Sequence, residues 1–398
     1  MKKLMILGAS ILQVPAIIKA KDMGLSVIAL DMNPNAVGLK IEGIIPEVIS
    51  TIDTDRVLEC AKKHNIDGIM TIASDMPMQT VAKVCKELGL NGISEDAALK
   101  ATNKAYMMDA LKSYKVPIPL YYKVFTFEEY KKAVHSIIEK GCKCISKPAD
   151  NSGSRGVTLI SEGIDLHKEY QYSIKNSRSG EVVVEEYLEG PEVSVETLAV
   201  DGEVSIIQIT DKCTSGSPFF VETEHSQPSI LDNNIKKRIA QVAVDANKAI
   251  GITNGPSHTE IRITKDGPKI VEIGARLGGD CITSHLVPLS TGVDMVEYSI
   301  RIALGEKPSI SKLWNRGACI KYLIPKPGII KKIKGVDEAK HIKGVKQVSI
   351  LKGINDRVMD VRNSTDRTGF VICEAETPIL AQTIADKATK IIKIETLQ

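Results

Sequence analysis

The sequence predicts an α/β protein in which a parallel sheet with crossover helices leads into a larger region of antiparallel strands. Three observations predict this. Over residues 1–95, short apolar runs alternate with helix-length amphipathic segments, as parallel strands joined by crossovers require. From residue 121 the strands alternate and are joined by glycine turns, the texture of antiparallel sheet. And 398 residues are too many for one ordinary core, so two or three domains are expected.

Taken in order, "KLMILGA" reads as a first strand and "VPAIIKAKDMG" as a helix closed by Gly24. "LSVIALD" is a second strand ending at Asp31, and "DTDRVLECAKKHNID" starts with cap-forming residues and runs as a helix. "GIMTIASD" is a third strand, and "PMQTVAKVCKELGL" a third helix with Pro77 near its start. Residues 96–120 read as one helix, "DAALKATNKAYMMDALKSYK", stopped by the prolines of "VPIP". The strands "KCISKPA", "EVVVEEYL", "EVSVETLAV" and "EVSIIQIT" come next, then a long polar loop over 211–229. "IKKRIAQVAVDANKAIG" is an amphipathic helix closed by Gly251, and "HTEIRIT" and "KIVEIGA" are strands joined by the turn "KDGP". A helix over about 292–304 ends at Gly305, and 307–398 form a smaller α/β segment closing on "ETPILAQTIADKATKIIKI".

Composition excludes several classes. Hydrophobic residues at 43% and charged residues at 25% suit a soluble globular chain. A net charge of +3 gives no basic face for nucleic acid, and aromatics at 4% leave few stacking platforms. The eight cysteines are scattered with no CxxC pair, as expected of reduced thiols in the cytoplasm. "MKKLMILGASILQVPAII" is interrupted by Gln13 and Pro15, so it reads as strand, turn and helix rather than a signal peptide. No run of 18 apolar residues exists to span a membrane. Gly8 with Asp31 hints at a dinucleotide fold, but "GASILQ" carries one glycine and lacks the G-x-G-x-x-G fingerprint.

Four stretches carry chemistry. In "SKPADNSGSRGV" (146–157), Gly153 and Gly156 bracket Ser154 and Arg155; such a loop turns backbone N–H groups around phosphate, or is an ordinary hairpin turn with solvated charges. "TNKAYMM" places Lys104 on a mostly apolar helix, where a snorkelling surface lysine is the common case. "VVEEYLEGPEVSVE" is acid-rich near a strand end, as solvated turns also are. In "HTEIRIT … KIVEIGARLGGD", two strands joined by a short turn each carry one carboxylate, Glu260 and Glu272. Antiparallel pairing can bring them together, and converging carboxylates call for a cation, for which hard oxygen ligands suit Mg²⁺. The alternative is a cross-strand pair in which one glutamate is exposed and the other bonded to Arg262 or Arg276.

In this order the four stretches resemble the ATP-grasp superfamily over nearly the whole chain, with "GPSHTEIR…VEIGARLGGD" the most specific segment. The branch it looks most like is the carboxylate–amine ligases, near L-amino acid ligases and carbamoyl-phosphate-synthase-like and biotin-carboxylase-like members. The resemblance implies an ATP-grasp fold: a preATP-grasp (Rossmann-like) domain over 1–95, a two-lobed nucleotide-binding domain over 96–306 with a lid at about 121–190, and a C-terminal domain over 307–398. It assigns ATP phosphates to Lys104 and Lys147, and the mobile lid to Ser152, Gly153, Ser154, Arg155 and Gly156. Glu185, Tyr187 and Leu188 match the adenine hinge, and Glu192 the ribose acid. Glu260 and Glu272 match the metal ligands, and Arg276 the arginine that steadies an acyl phosphate. Many members carry asparagine two residues after the second metal glutamate; this chain has Gly274, which puts the metal count in doubt.

The implied reaction is amide formation from a small-molecule carboxylate and an amine. ATP, with Mg²⁺ or Mn²⁺, converts the carboxylate to an acyl phosphate with release of ADP, and the amine then displaces phosphate. Gly278 and Gly279 would let substrate approach the backbone closely. Phe219, Phe220, Glu222, His225, Ser226 and Arg367 are candidates to face substrate, and His258 is a candidate base or anion contact. A homodimer is the default assembly, with neither nucleic acid nor membrane as partner. Competing readings are a carboxylase or formate-dependent transferase of the same fold, a non-catalytic nucleotide-binding module, and an NAD dehydrogenase.

Overall fold

The computed structural model describes residues 1–153, 155–217 and 219–397. Lys3–Leu7 and Ser26–Leu30 are each buried at four of five positions, as strands covered by crossover helices must be. With Gly68–Met70 and Ile45–Glu47 they form a parallel sheet in the order Ile45–Glu47, Ser26–Leu30, Lys3–Leu7, Gly68–Met70. The strand Ile45–Glu47 has no sequence signal, being a three-residue edge containing Pro46. The helices Val14–Asp22, Thr54–His64 and Met78–Leu88 lie where the sequence predicts them. Asp53 caps the second, and Gly89 closes the third at φ 65°. Asp31 accepts hydrogen bonds from the amides of Ala9 and Asn33, at 2.8 and 2.9 Å, so the acid of the dinucleotide pattern braces its own turn.

Residues 96–120, expected as one helix, form two: Glu95–Thr102 and Lys104–Ser113. Asn103 is extended (φ −129°, ψ 115°), and its side chain accepts from the amides of Ala105 and Tyr106, capping the second helix. Lys104 therefore starts a helix, with only 7% of its surface exposed. The strands Tyr121–Val124, Val182–Glu186, Cys144–Pro148 and Thr158–Ile160 form an antiparallel sheet in that order. Phe127–Ile138 and Leu166–Lys175 cover it, burying Tyr130, Val134 and Ile137 against Val182 and Val184.

The largest sheet has eight strands, every pairing antiparallel: Gly267–Gly274, Gly255–Thr264, Glu192–Val200, Glu203–Thr214, Glu222–Gln227, Gly317–Leu323, Gly369–Ala375 and Val345–Ile350. The stretch 211–229 is thus mostly strand and not a long loop. Its polar side chains pair with partners outside the stretch, Lys212 with Glu192 and Glu260 and Glu224 with Lys321, which hid the strand pattern. The sheet also runs past residue 306, because Gly317–Leu323 pairs with Glu222–Gln227. Beyond it, Arg357–Val358, Gly328–Lys334 and Lys393–Leu397 form a separate three-stranded sheet, and the helix Pro378–Ile391 packs on Cys319, Val371 and Cys373. All eight cysteines are free, and no helix among the described residues is long and apolar enough to cross a membrane.

Candidate active site

The short turn after Thr264 fixes the register of the two strands it joins, and that register sets Glu260 opposite Glu272. A bulge follows Glu260. Both side chains are about a quarter exposed and line one pocket with Lys104, Lys147 and Glu192. Glu185, Tyr187, Leu188, Ser152, Gly153 and Arg155 line it as well. Gly156 does not: its φ of 76° turns the chain beneath the pocket, where a Cβ would meet Pro148 and Asn176 at 2.6 and 2.7 Å. Ser154 lies outside the described residues.

Each lysine in the pocket is held by an acid. Lys104 donates to the carbonyl of Asn151 at 2.7 Å and to Glu272 at 3.0 Å. Burial alone would lower its pKa, but the Glu272 charge outweighs that and raises it. Lys147 donates to Glu185 at 2.7 Å. Nothing local in the chain marks Lys212 as part of the site. Its Nζ is 2.8 Å from Glu192 and 2.5 Å from Glu260, with Glu222 at 3.8 Å. Although burial opposes its charge, the three carboxylates push its pKa well above the usual lysine value. Burial would raise the Glu260 carboxyl, but Lys212 and His258 hold it well below the usual range.

His258 contacts Glu196 at 2.7 Å through Nδ1, and its Nε2 lies 3.6 Å from Glu260. Burial would lower its pKa; Glu196 and Glu260 raise it to about 9. A histidine charged at neutral pH suits an anion contact and not a general base. Glycine at 278 has a structural cause, since a Cβ there would sit 2.6 Å from His258 Nδ1. Gly279 is different: its Cβ would meet only Ala73, at 3.6 Å.

Arg276 is not among the residues lining the pocket. Asp75, from the turn after the parallel sheet's last strand, grips it at 2.7 and 2.9 Å. The same carboxylate explains Gly274, where a Cβ would be 2.8 Å from Asp75 Oδ1. Asp75 was invisible in the sequence because it pairs across 201 residues. Of the substrate candidates, Phe220 and Glu222 line the same pocket as Glu260 and Glu272. Ser226 is buried and accepts from Gln382. His225 is buried 3.4 Å from Asp280, which Arg367 grips at 2.8 and 2.6 Å. Phe219 lies under the Arg362 guanidinium, 5.5 Å from its ring centre.

The donor set fits a hard divalent cation. Two carboxylates face each other across adjacent strands beside Lys104 and Lys147, and this oxygen-rich arrangement suits Mg²⁺. Among the described residues a geometric three-ligand cluster occurs elsewhere, at Glu47, Cys60 and His64, where Lys63 already pairs with Glu47 at 3.0 Å.

Comparison with known proteins agrees with this fold. Residues 140–284 match the ATP-grasp domain, and 321–397 match the L-amino acid ligase C-terminal domain 2. The chain is 31% identical to the alanine–anticapsin ligase of Bacillus subtilis over 62% of its own length and 56% of that protein's. It is 27% identical to the phosphoribosylamine–glycine ligase of Methanocaldococcus jannaschii over 96% of the chain and 90% of the relative. The crystal structure of an L-amino acid ligase from Bacillus licheniformis has the same fold, with TM-score 0.83, 22% identity, and coverage of 100% and 99% of the two chains. With its parallel N-terminal sheet, its antiparallel lobes and these relatives, the chain belongs to the ATP-grasp superfamily, in the branch of ATP-dependent carbon–nitrogen ligases.

Proposed function

We propose that this protein joins a small carboxylate to an amine through an acyl-phosphate intermediate, releasing ADP and phosphate. The observation that carries the reading is Glu260 opposite Glu272, over a pocket that Lys104, Lys147 and Lys212 also line. The substrate carboxylate attacks the γ-phosphorus of ATP and ADP leaves. The amine then attacks the acyl carbon, phosphate leaves, and the amine gives up its proton.

Each residue has a role in this reading. Glu185, Tyr187 and Leu188 bound the adenine end of the pocket, and Glu192 takes ribose hydroxyls. Lys104 and Lys147 move from their glutamate partners to phosphate oxygens, so the charge they carry is kept and only its partner changes. Glu260 and Glu272 would hold Mg²⁺, or Mn²⁺ in its place. A bound cation supplies charge neutralisation between the phosphate oxygens of the transferring group. Ser152, Gly153 and Arg155 close over the phosphates and exclude water that would hydrolyse the acyl phosphate. Arg276 steadies the transferred group from its seat on Asp75. The protein acts in the cytoplasm, as a homodimer, on soluble small molecules.

The test is phosphate release from Mg-ATP over a panel of acids and amines, with hydroxylamine to trap acyl phosphate as hydroxamate. Release that needs both an acid and an amine supports the ligase. Release that needs bicarbonate or formate and no larger acid selects a carboxylase or formate-dependent transferase. Nucleotide binding without turnover on any acid rejects both.

A further inference from the structure

Away from the candidate active site, the edge of the N-terminal sheet and its neighbouring helix bring together a carboxylate, a thiol and an imidazole. Glu47 ends the edge strand Ile45–Glu47, where it pairs with Leu30 and its carbonyl accepts from the amide of Asp31 at 3.2 Å. Cys60 and His64 stand four residues apart on the helix Thr54–His64, and so on one face of it. One ligand atom from each of the three lies within 4.8 Å of the other two. None of them lines the nucleotide pocket. A strand and a capped helix hold all three, so the set is fixed by regular structure rather than by a loop.

Cys60 is the innermost member, at 5% exposure, while the side chains of His64 and Glu47 are 15% and 22% exposed. His64 Nε2 and Glu47 Oε1 meet at 2.7 Å. A carboxylate only accepts, so Nε2 carries the proton between them. Ligands of a tetrahedral cation with bonds of about 2.0–2.3 Å lie about 3–4 Å apart, so exchanging that proton for a cation asks for a movement of about 1 Å. Lys63 Nζ now answers the same oxygen at 3.0 Å. Its side chain is 68% exposed, and an exposed pair of this kind yields easily.

We infer that Glu47, Cys60 and His64 form a zinc site that clips the edge strand of the N-terminal sheet to the helix Thr54–His64. One sulfur, one nitrogen and one oxygen donor suit Zn²⁺, and the thiolate sets the site apart from one for Mg²⁺ or Ca²⁺. Three protein ligands leave the fourth tetrahedral position to water. On binding, Cys60 gives its thiol proton to solvent and the proton on His64 Nε2 passes to Nδ1 through solvent. The sulfur, the freed nitrogen and one Glu47 oxygen then bond to zinc, which sheds hydration waters, and Lys63 turns to solvent. The edge has a use for such a clip. Its strand is three residues long, Pro46 offers no N–H, and Ile45, Val48 and Ile52 beside it are exposed. The inference does not depend on the ligase reading.

The test uses the full chain, stripped with chelator, reduced, and saturated with Mg²⁺ and ADP so that the acids of the nucleotide pocket are occupied. Co²⁺ is titrated in as a spectroscopic stand-in for Zn²⁺. A thiolate-to-cobalt charge-transfer band should grow to one ion per chain and vanish when Zn²⁺ displaces the cobalt. Zn²⁺ should also raise the thermal midpoint. Cys60→Ser should lose the band, whereas Cys213→Ser, at the exposed thiol, should keep it. His64→Gln and Glu47→Gln should each weaken Co²⁺ binding at least tenfold without altering Mg-ADP affinity. Lys63→Ala should tighten it several-fold, since the competing cation is gone. Absence of the band, a band that survives in Cys60→Ser, or Co²⁺ affinity unchanged in both the His64 and Glu47 variants overturns the inference. If Cys60→Ser does not fold, the His64 and Glu47 variants decide.

Discussion

Asp75 closes both oxygens on the guanidinium of Arg276, at 2.7 and 2.9 Å, and so ties the N-terminal sheet to the strip that follows the metal-candidate glutamates. Both side chains are only 14% exposed. Removing one partner leaves a buried charge uncompensated, which typically costs about 3 kcal/mol or more. Asp75→Asn is therefore expected to lower the unfolding free energy read from urea titration by about that much, and to cut acid-dependent phosphate release. A variant with wild-type stability would mean the pair does not join the two regions. Arg276→Ala should destabilise as well, so its loss of turnover has to be read beside its unfolding curve.

Glu272→Gln isolates the candidate metal ligand. Glu272 bonds Lys104 and its side chain is 28% exposed, so an amide can keep one hydrogen bond while losing the charge. Turnover should fall at least about 100-fold, a loss of the size seen when transition-state charge stabilisation is removed, with the thermal midpoint little changed. Phosphate release within a factor of two of wild type would remove Glu272 from the site.

The difference between what the sequence disclosed and what it hid lies in the distance between partners. The Glu260–Glu272 pairing was legible because one short turn joins the two strands. The parallel sheet was legible, its edge strand Ile45–Glu47 apart, because its apolar strands alternate with helix-length amphipathic segments, of which Thr54–His64 carries its own cap in Asp53. Lys212 was not legible, since its acids come from positions 192, 222 and 260 and nothing local marks it. The end of its strand, from residue 211 on, was read as loop because its polar residues find their partners on other strands, as Lys212 does in Glu192 and Glu260. A single helix was read across Asn103 because periodicity continues through it, and only the cap geometry shows the break. Gly274 and Gly278 were legible as glycines but not as to cause, which lies in Asp75 and His258.

Lys212→Met tests the hidden lysine. The side chain is 3% exposed and stands among three carboxylates, so methionine leaves Glu192 and Glu260 without their shared counter-charge. Nucleotide affinity measured by calorimetry with Mg-ADP should drop at least tenfold, and the thermal midpoint should fall. Raised Mg²⁺ should recover part of that midpoint, since a cation can stand between the same acids. A variant with unchanged nucleotide affinity would confine Lys212 to a packing role.

Acid should loosen the Asp280–Arg367 clamp. Burial alone would raise the Asp280 carboxyl, but Arg367 and His225 hold it far below the usual carboxylate range. A carboxyl depressed in the folded state adds stability that is complete above its unfolded pKa of about 3.9 and is lost as pH falls below that. The stability gap between wild type and Asp280→Asn, measured by urea unfolding, should therefore be widest near pH 6 and shrink steadily from about pH 4 toward pH 2. A gap that stays constant across that range would show that the clamp contributes no proton-linked stability.

Two adjacent glycines separate fold from substrate. At 278, alanine would drive its Cβ to 2.6 Å from His258 Nδ1 and 3.0 Å from Glu196 Oε2, so the buried pair must shift. Overpacking of this kind costs about 1–3 kcal/mol, and Gly278→Ala should lose stability and activity together. At 279 the added methyl meets only Ala73 at 3.6 Å, an ordinary contact, and Gly279 lines an apolar cavity. Gly279→Ala should therefore keep the wild-type urea midpoint and the KM for ATP, while raising the KM of the substrate carboxylate several-fold. The paired outcome is diagnostic because a general loosening of the strip would move both variants the same way. If Gly279→Ala instead unfolds as readily as Gly278→Ala, or leaves every KM unchanged, the strip does not face substrate.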